Sequence, residues 1–376
     1  MVRRALVAVF GAVLLWACGS SSDEGASSSS GTVAGGGTSA SSSGGGGSSR
    51  GSSDGGAATT PRACLKDPVA AVNGLSDHGV LLGYHLNGFF DPSTTKHWEG
   101  VARLRGGSAK YLAVSRIGPE MFDIVELASR KGDGQAFGAS RATVNDAPPA
   151  EDKVIGKVDE DSGFDHAGGM QTLGDVLAVP LENGTISRVV FYDVADPKTP
   201  KRLTTVERPD IGEAGSAGLT DLPDGRTLLV VGRKGDQTLD VYTTSAKDFT
   251  GFHLDATWSV KADGVKTAID DENFGDYENL DVLRACDDKL YLLGTHREGI
   301  LVGVDYVDLY AFEPSPKPVL TKVAKRHMYC ANSNEDAQCN LDAAAGAYVT
   351  PSGQLHVYAV EHDNDGPQGS IKMKEF

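Results

Sequence analysis

The chain lacks several of the sequence motifs by which enzyme classes are recognised. Residues 61–376 contain no G-x-S-x-G nucleophile elbow and no G-x-x-x-x-G-K-[ST] phosphate-binding loop. The H-E-x-x-H motif is also missing, so a metal site would have to be assembled from separate segments. These absences leave no sequence basis for a serine hydrolase, a P-loop nucleotidase or a zincin, and no catalytic residue is predicted.

Basic residues are scarce relative to acidic ones. The 376 residues include 35 lysines and arginines against 51 aspartates and glutamates, which gives a net charge of −16. A nucleic-acid-binding surface needs an excess of positive charge, so nucleic acid is not expected as a partner. The negative net charge mainly favours solubility, and cation binding is the less favoured interpretation.

Long apolar stretches are missing except near the start of the chain. Residues 5–17 form an apolar run behind two arginines, shorter than the roughly 20 residues that span a bilayer, which indicates a secretory signal. Residues 15–17, Leu-Trp-Ala, precede Cys18 and resemble the lipobox of bacterial lipoproteins. The resemblance implies a signal peptide over 1–17 and a lipid on Cys18. An ordinary signal peptide is the alternative.

The segment that follows has almost no apolar residues. From Gly19 to about Thr60 it consists mainly of Ser, Gly, Ala and Thr, a composition that cannot offset the entropy of ordering. Residues 18–60 are therefore predicted to form a disordered tether, and residues 61–376 a single domain. By analogy with lipoprotein sorting, Gly19 in place of Asp favours the outer membrane. The lipid anchor is the only membrane contact expected.

Cysteine is rare, with five residues in the chain. If Cys18 carries lipid, four remain in an oxidising compartment, and three pairings are open. Cys330 with Cys339 is the economical pairing across a short polar loop, and it leaves Cys64 for Cys286. A cysteine metal site is the alternative, but it lacks the close C-x-x-C spacing.

Helix periodicity is missing from the domain, whereas short alternating apolar strands recur. Five related phrases each begin a strand-turn-strand-loop-strand unit, and they lie at 97–104, 163–182, 215–222, 276–283 and 343–350. In the third unit, for example, a second strand follows at 226–233 and a third at 238–244. A repeat of roughly 50 to 70 residues with this content predicts an all-β propeller.

Five blades are predicted, with six open if residues 64–95 or 130–160 contain a weaker copy. The last copy ends on its third strand, so its edge needs a partner. Residues 78–86 form a strand left over at the start of the domain, and pairing it outside the last blade would close the ring. The first strands share one register position, occupied by Gly100, Gly169, Gly218, Asn279 and Gly346. Glycine there allows neighbouring backbones to approach closely.

Two segments resemble known propeller repeats. Residues 191–197, Phe-Tyr-Asp-Val-Ala-Asp-Pro, with the KTPKRL that follows, resemble the LVIVD-type repeat of secreted bacterial β-propellers. Residues 219–231 are similar to the strand-turn-strand unit of surface propellers with YVTN-type repeats. The resemblance implies a propeller exposed on the cell envelope, and it implies little about chemistry.

Polar side chains recur where first strands begin and second strands end, which is the same end of an antiparallel meander. The predicted ligand-binding residues are His97, Glu99, Arg116, His166, Glu182, Arg233, Glu278, His296, Glu361 and His362. Converging polar groups on a rigid scaffold are typical of a ligand site. The alternative is that they hydrogen-bond neighbouring blades.

Histidine and acidic residues in this set could hold a divalent metal, calcium or another ion. The candidates are Glu99, His166, Glu278 and His362, and the acidic loops 268–279 and 361–370 are further candidates for calcium.

These residues are compatible with two functions. The first is a module that binds a protein, peptide or glycan; the second is a metal-dependent hydrolase of the phosphatase or lactonase kind.

Overall fold

The computed structural model describes residues 63–88, 97–105, 107–118, 120–138, 147–159, 163–245, 249–299, 304–330, 339–362 and 369–376. The predicted signal peptide, Cys18 and the tether lie outside the described residues. None of the helices within these ranges is long and apolar enough to cross a membrane.

The domain begins with a short helix that the sequence analysis does not predict, α1 (Pro68–Asn73). The Asp67 side chain caps it by accepting a hydrogen bond from the Ala70 amide at 2.9 Å, and Pro68 occupies the first turn. Strand β1 (Val80–His85) follows.

The first sheet is an antiparallel meander. Its strands are β2 (Trp98–Leu104), β3 (Tyr111–Arg116), β4 (Glu120–Leu127) and β5 (Asp152–Asp159). A single 3-10 turn over Gly107–Ala109 lies between β2 and β3. Strand β5 falls in the region considered for a sixth repeat, but it pairs with β4 and therefore belongs to this sheet.

The second and third sheets continue the pattern. The second contains β6 (His166–Ala167), β7 (Gln171–Leu173), β8 (Val176–Glu182), β9 (Ser187–Asp193) and β10 (Lys201–Arg208). The third contains β11 (Ser216–Asp221), β12 (Thr227–Arg233), β13 (Thr238–Thr244) and β14 (Phe252–Ser259). Apolar side chains from facing sheets, such as Phe191 and Leu229, pack into a shared core.

The C-terminal part of the chain forms the fourth sheet and the last three strands. After α2 (Val260–Asp263), the fourth sheet contains β15 (Lys266–Thr267), β16 (Asn279–Arg284), β17 (Leu290–Glu298), β18 (Val304–Glu313) and β19 (Val319–Met328). The last strands are β20 (Ala345–Val349), β21 (Leu355–Val360) and β22 (Ser370–Glu375). Strand β1 pairs antiparallel with β22, as predicted from the open edge of the last repeat.

The first strands of successive repeats lie against one another. Single parallel pairs, Gly100 with Ala345 and His85 with Lys153, join the first and last groups of strands into a closed path of eight. A Cβ on Gly100 would lie 2.8 Å from the Cα atom of Gly169, so glycine is needed for this approach. The described residues form a propeller-like all-β fold, and the predicted crowding of inner strands is confirmed.

Both predicted disulfides are present. Cys64 is bonded to Cys286 and Cys330 to Cys339, with Cα–Cα distances of 5.0 and 5.1 Å. The first bridge holds the start of the domain beside the turn that follows β16, where the Leu65 amide also donates to the Arg284 carbonyl at 3.0 Å.

Candidate functional site

A cavity of about 320 Å³ lies where inner strands begin and second strands end. We call it the acidic cavity, and its lining residues are His166, Glu182, Glu213, Gly215, Lys234, Gly235, Asp276 and Glu278. The antiparallel register of β6 and β8 places His166 directly opposite Glu182, which brings the beginning of one strand to the end of the next.

His166 lies between two carboxylates that belong to different sheets. Its Nδ1 atom is 2.8 Å from Oε1 of Glu182, and its Nε2 atom is 3.5 Å from Oε2 of Glu99. The contact between Nε2 and Glu99 is an ion pair and not a hydrogen bond, because Nε2 has no hydrogen-bond partner within the described chain. Burial works to lower the pKa of His166, but the two carboxylates outweigh it and raise the pKa to about 10. His166 is therefore an imidazolium at neutral pH.

Glu99 is 2% exposed and is held by two imidazoles. Its Oε1 atom lies 2.6 Å from Nε2 of His97, whose ring stacks on His362 with 4.5 Å between centroids. Burial raises the pKa of the Glu99 carboxyl, but the imidazoles of His166 and His97 more than offset burial, so the pKa is lower than usual. The two imidazoles thus favour the ionised form of this buried carboxyl group.

Lys234 connects two further acidic residues on the other side of the cavity. Its ammonium group forms a close ion pair with Glu278 and lies 3.6 Å from Oδ1 of Asp342. Burial, together with the negative charge of Glu99, raises the pKa of Glu278 to about 6 despite the opposing charges of Lys234 and His166. The pKa values of Glu99 and Glu278 are thus shifted in opposite directions, and the negative charge of Glu99 is one cause of the raised pKa of Glu278.

The remaining wall adds acceptors. The buried Oε2 atom of Glu213 has no hydrogen-bond partner among the described residues. Asp276 is exposed and accepts a hydrogen bond from Gln237 at 2.8 Å. The lining therefore contains four carboxylates and two cationic side chains.

The structure brings six of the ten predicted residues into this network and engages the others elsewhere. His97, Glu99, His166, Glu182, Glu278 and His362 belong to it. The others have local partners: Arg116 with Asp123 at 3.3 Å, Arg233 with Asp240 at 3.1 Å, His296 with Asp308 at 3.1 Å, and Glu361 with the Lys372 amide at 3.0 Å. Their role toward a ligand stays a prediction.

Three residues of the network were missed by the sequence analysis. Glu213 and Asp342 precede β11 and β20 by three residues each, and Lys234 follows β12 directly. Each lies near the start of the first strand of a repeat or the end of the second strand, as the predicted residues do. A slightly wider window around the strand ends would have found them.

No three His, Cys, Asp or Glu side chains in the described part of the chain are grouped so that they could hold a metal ion. The predicted metal candidates Glu99, His166, Glu278 and His362 therefore gain no support. In the acidic loop 268–279, the Asp271 carboxylate is paired with Lys322 and Lys325 at 3.1 and 3.0 Å. Residues 363–368 of the other loop lie outside the described residues.

No protein-family model matches the chain, and no curated protein is significantly similar to it. Solved structures with a similar fold include glutaminyl cyclase from Myxococcus xanthus, at 11% identity and a TM-score of 0.40 over 80% of this chain and 98% of that one. An exo-β-1,3-galactanase from Clostridium thermocellum matches at 11% identity and a TM-score of 0.43 over 78% and 61%. A β-fructofuranosidase from Bombyx mori matches at 8% identity and a TM-score of 0.44 over 78% and 62%.

Proposed function

We propose that this protein is a lipid-anchored, five-bladed propeller of the bacterial cell envelope whose acidic cavity binds a cationic group of a protein or peptide. The observation that carries the proposal is the excess of carboxylates over cations in a small cavity. A ligand amine or guanidinium would balance this excess and complete the charge network.

The sheet pairing supports the count of five blades. The eight-stranded path divides into two four-stranded units, because among the described residues only the pairs Gly100–Ala345 and His85–Lys153 join them. Together with the three separate sheets this gives five units, each with its first strand innermost. In this interpretation β1 is the outer strand of the last blade.

The lipid anchor is supported by the lipobox resemblance at Cys18 and by the Ser/Gly-rich segment behind it. Metabolic labelling with a palmitate analogue tests it. Label on the wild-type chain and none on Cys18→Ser would support the anchor, and equal labelling would contradict it. Fractionation of the cells then tests the outer-membrane assignment.

A cation fits the acidic cavity better than a neutral glycan. Carboxylates accept hydrogen bonds from hydroxyl groups, but a neutral sugar would leave the excess negative charge uncompensated in a confined space. An ammonium or guanidinium group would supply donors to the carboxylates of Glu213 and Asp276, which form no ion pair with a described cation, and would add positive charge beside Glu278.

Calorimetric titration of the purified full-length chain tests the proposal. The probes are N-acetyl-lysine amide, N-acetyl-arginine amide and the neutral N-acetyl-norleucine amide. We expect only the cationic probes to bind, and Glu278→Gln to weaken binding about tenfold. Glu207→Gln is the matched control, since Glu207 is an exposed carboxylate on β10. Equal binding of the neutral probe would contradict the proposal.

A hydrolase is the second candidate, and the contrast between Glu99 and Glu278 favours it. The Glu99 carboxyl has a lowered pKa and the Glu278 carboxyl a pKa of about 6. General acid-base catalysis uses such a pair, in which the group with the lower pKa acts as the base and the group with the higher pKa as the acid. Turnover of ester or glycoside substrates that is lost in both Glu99→Gln and Glu278→Gln would support it. The metal-dependent version needs near-stoichiometric calcium or zinc in the purified chain, and a lower melting temperature after chelation.

A further inference from the structure

A second cavity, of about 380 Å³, lies at the opposite ends of the inner strands. We call it the arginine cavity, and the lining residues that matter here are Arg105, Leu173, Asp221, Phe249, Arg284 and Tyr348. Leu173, Asp221 and Arg284 end β7, β11 and β16, and Arg105 directly follows β2. None of the residues lining the arginine cavity lines the acidic cavity.

The two arginines of this cavity differ in their partners. Arg284 is neutralised locally, because it forms an ion pair with Asp221 at 3.2 Å and a closer one with Asp288. The Arg105 guanidinium forms no ion pair and no side-chain hydrogen bond with any described residue. Its central carbon lies 5.9 Å from the ring centroid of Tyr348. The Arg105 guanidinium therefore lies beside an aromatic ring without an ion-pair partner in the described chain, and the Arg103 guanidinium lies 4.7 Å from the centroid of the same ring.

The remaining surface of the arginine cavity offers apolar contact. Leu173, Phe249 and Tyr348 contribute carbon surface to its walls. The Gln171 side chain also lines the cavity, but its amide already donates to the Val282 carbonyl at 2.9 Å and accepts from the Leu219 and Val282 amides at 2.6 and 2.9 Å. Among the charged side chains that line the cavity, Arg105 is therefore the one that forms no ion pair with a described residue.

We propose that the arginine cavity binds a small organic anion, a carboxylate carried on an aromatic or aliphatic body, with its charged group at Arg105. The volume is near the lower end of small-molecule sites, roughly 300–1,000 Å³, which suits one ring with a short side chain. Arg105 provides paired donors for a carboxylate, and Leu173 and Phe249 provide apolar surface for the ligand body.

Titration of the purified full-length chain with 3-phenylpropanoate and with the neutral 3-phenylpropanamide tests this site. We expect the acid to bind at least about tenfold more tightly than the amide, and Arg105→Gln to remove that preference. Arg105→Lys should keep part of it, because a lysine retains the charge without the planar pair of donors. Unchanged melting temperatures would confirm that the variants fold.

Two controls separate this site from other positive charges and from the acidic cavity. Arg202→Gln removes an arginine on β10, and Glu278→Gln alters the acidic cavity; neither should change binding of the acid. Equal affinity for acid and amide, equal affinity in Arg105→Gln, or no binding of the acid at millimolar concentration would each overturn the proposal.

Discussion

His166 on β6 and Glu182 on β8 are cross-strand neighbours that form an ion pair, with 2.8 Å between Nδ1 and Oε1. Glu99 from the first sheet approaches the other ring nitrogen, so the pair also connects two sheets. The pKa of His166 in the folded chain is about 10, above its ordinary 6.5. The folded state therefore holds this proton more tightly than the unfolded state does. The resulting stability is complete below about pH 6.5 and is lost as the pH rises toward 10.

The first prediction concerns this linkage. We expect His166→Gln to lower the free energy of unfolding by roughly 2–3 kcal/mol near pH 6, because two carboxylates lose their cation, and the deficit to shrink toward pH 10. Urea denaturation at several pH values measures it. His253→Gln is the control, since His253 is half exposed and faces one carboxylate, that of Asp255 at 2.9 Å. A deficit that does not change with pH would contradict the charge of His166.

The second prediction concerns cation binding and pH. The pKa of Glu278 is about 6, so its negative charge develops between about pH 5 and 7, whereas His166 stays protonated over this range. Affinity for N-acetyl-lysine amide should therefore rise several-fold across that interval. Titration calorimetry at each pH measures the rise, and in Glu278→Gln it should be absent.

Asp342 provides the control for that experiment. Burial raises the pKa of its carboxyl, and it approaches the same Lys234 ammonium group. Asp342→Asn should leave the rise in affinity in place if Glu278 is the titrating group. Loss of the rise in Asp342→Asn, with its retention in Glu278→Gln, would assign the effect to Asp342.

The third prediction concerns the two disulfides. The Cys64–Cys286 bridge closes a loop with a sequence separation of 222, and the Cys330–Cys339 bridge one of 9. Because the entropy removed from the unfolded chain grows with loop length, replacing Cys64 and Cys286 by serine should cost more of the free energy of unfolding, about 2–5 kcal/mol. Chemical denaturation of the two double variants compares them. An equal or reversed order would show that effects other than chain entropy dominate.

The inner strands of the fold could be predicted from the sequence because they are buried on both faces and a related, mainly apolar phrase recurs in each repeat. Strand β2, for example, is buried at every position. Strand β5 was not predicted, because the outer strand of a sheet is partly exposed and its sequence, DKVIGKVD, has lysines and a glycine in place of a clear alternation. The helix α1 escaped prediction because six residues are too few for a helical period.

The residues of the candidate site could be predicted only where the position of a residue along its strand determines the end of the sheet at which it lies. That rule placed Glu99, His166 and Glu182 together. It could not foresee that Arg116, at an equivalent strand end, is fully buried against Asp123, because that choice depends on the packing of the next strand. Protonation states were also beyond reach, since the pKa of Glu278 depends on its burial and on charges from other sheets.

The last prediction tests the close approach of the inner strands. A Cβ on Gly346 of β20 would overlap the carbonyl oxygen of Val101 on β2, and the backbone of neither strand can move without disturbing its sheet. Gly346→Ala should therefore lower the free energy of unfolding by about 3 kcal/mol or more. Gly156→Ala on β5 is the matched control, because no described atom lies within 4 Å of the added Cβ and the backbone there suits any residue. Urea denaturation of both variants measures the difference. Equal stability of the two would mean that β2 and β20 are not in contact in solution, and with that the ring of inner strands would lose its closing contact.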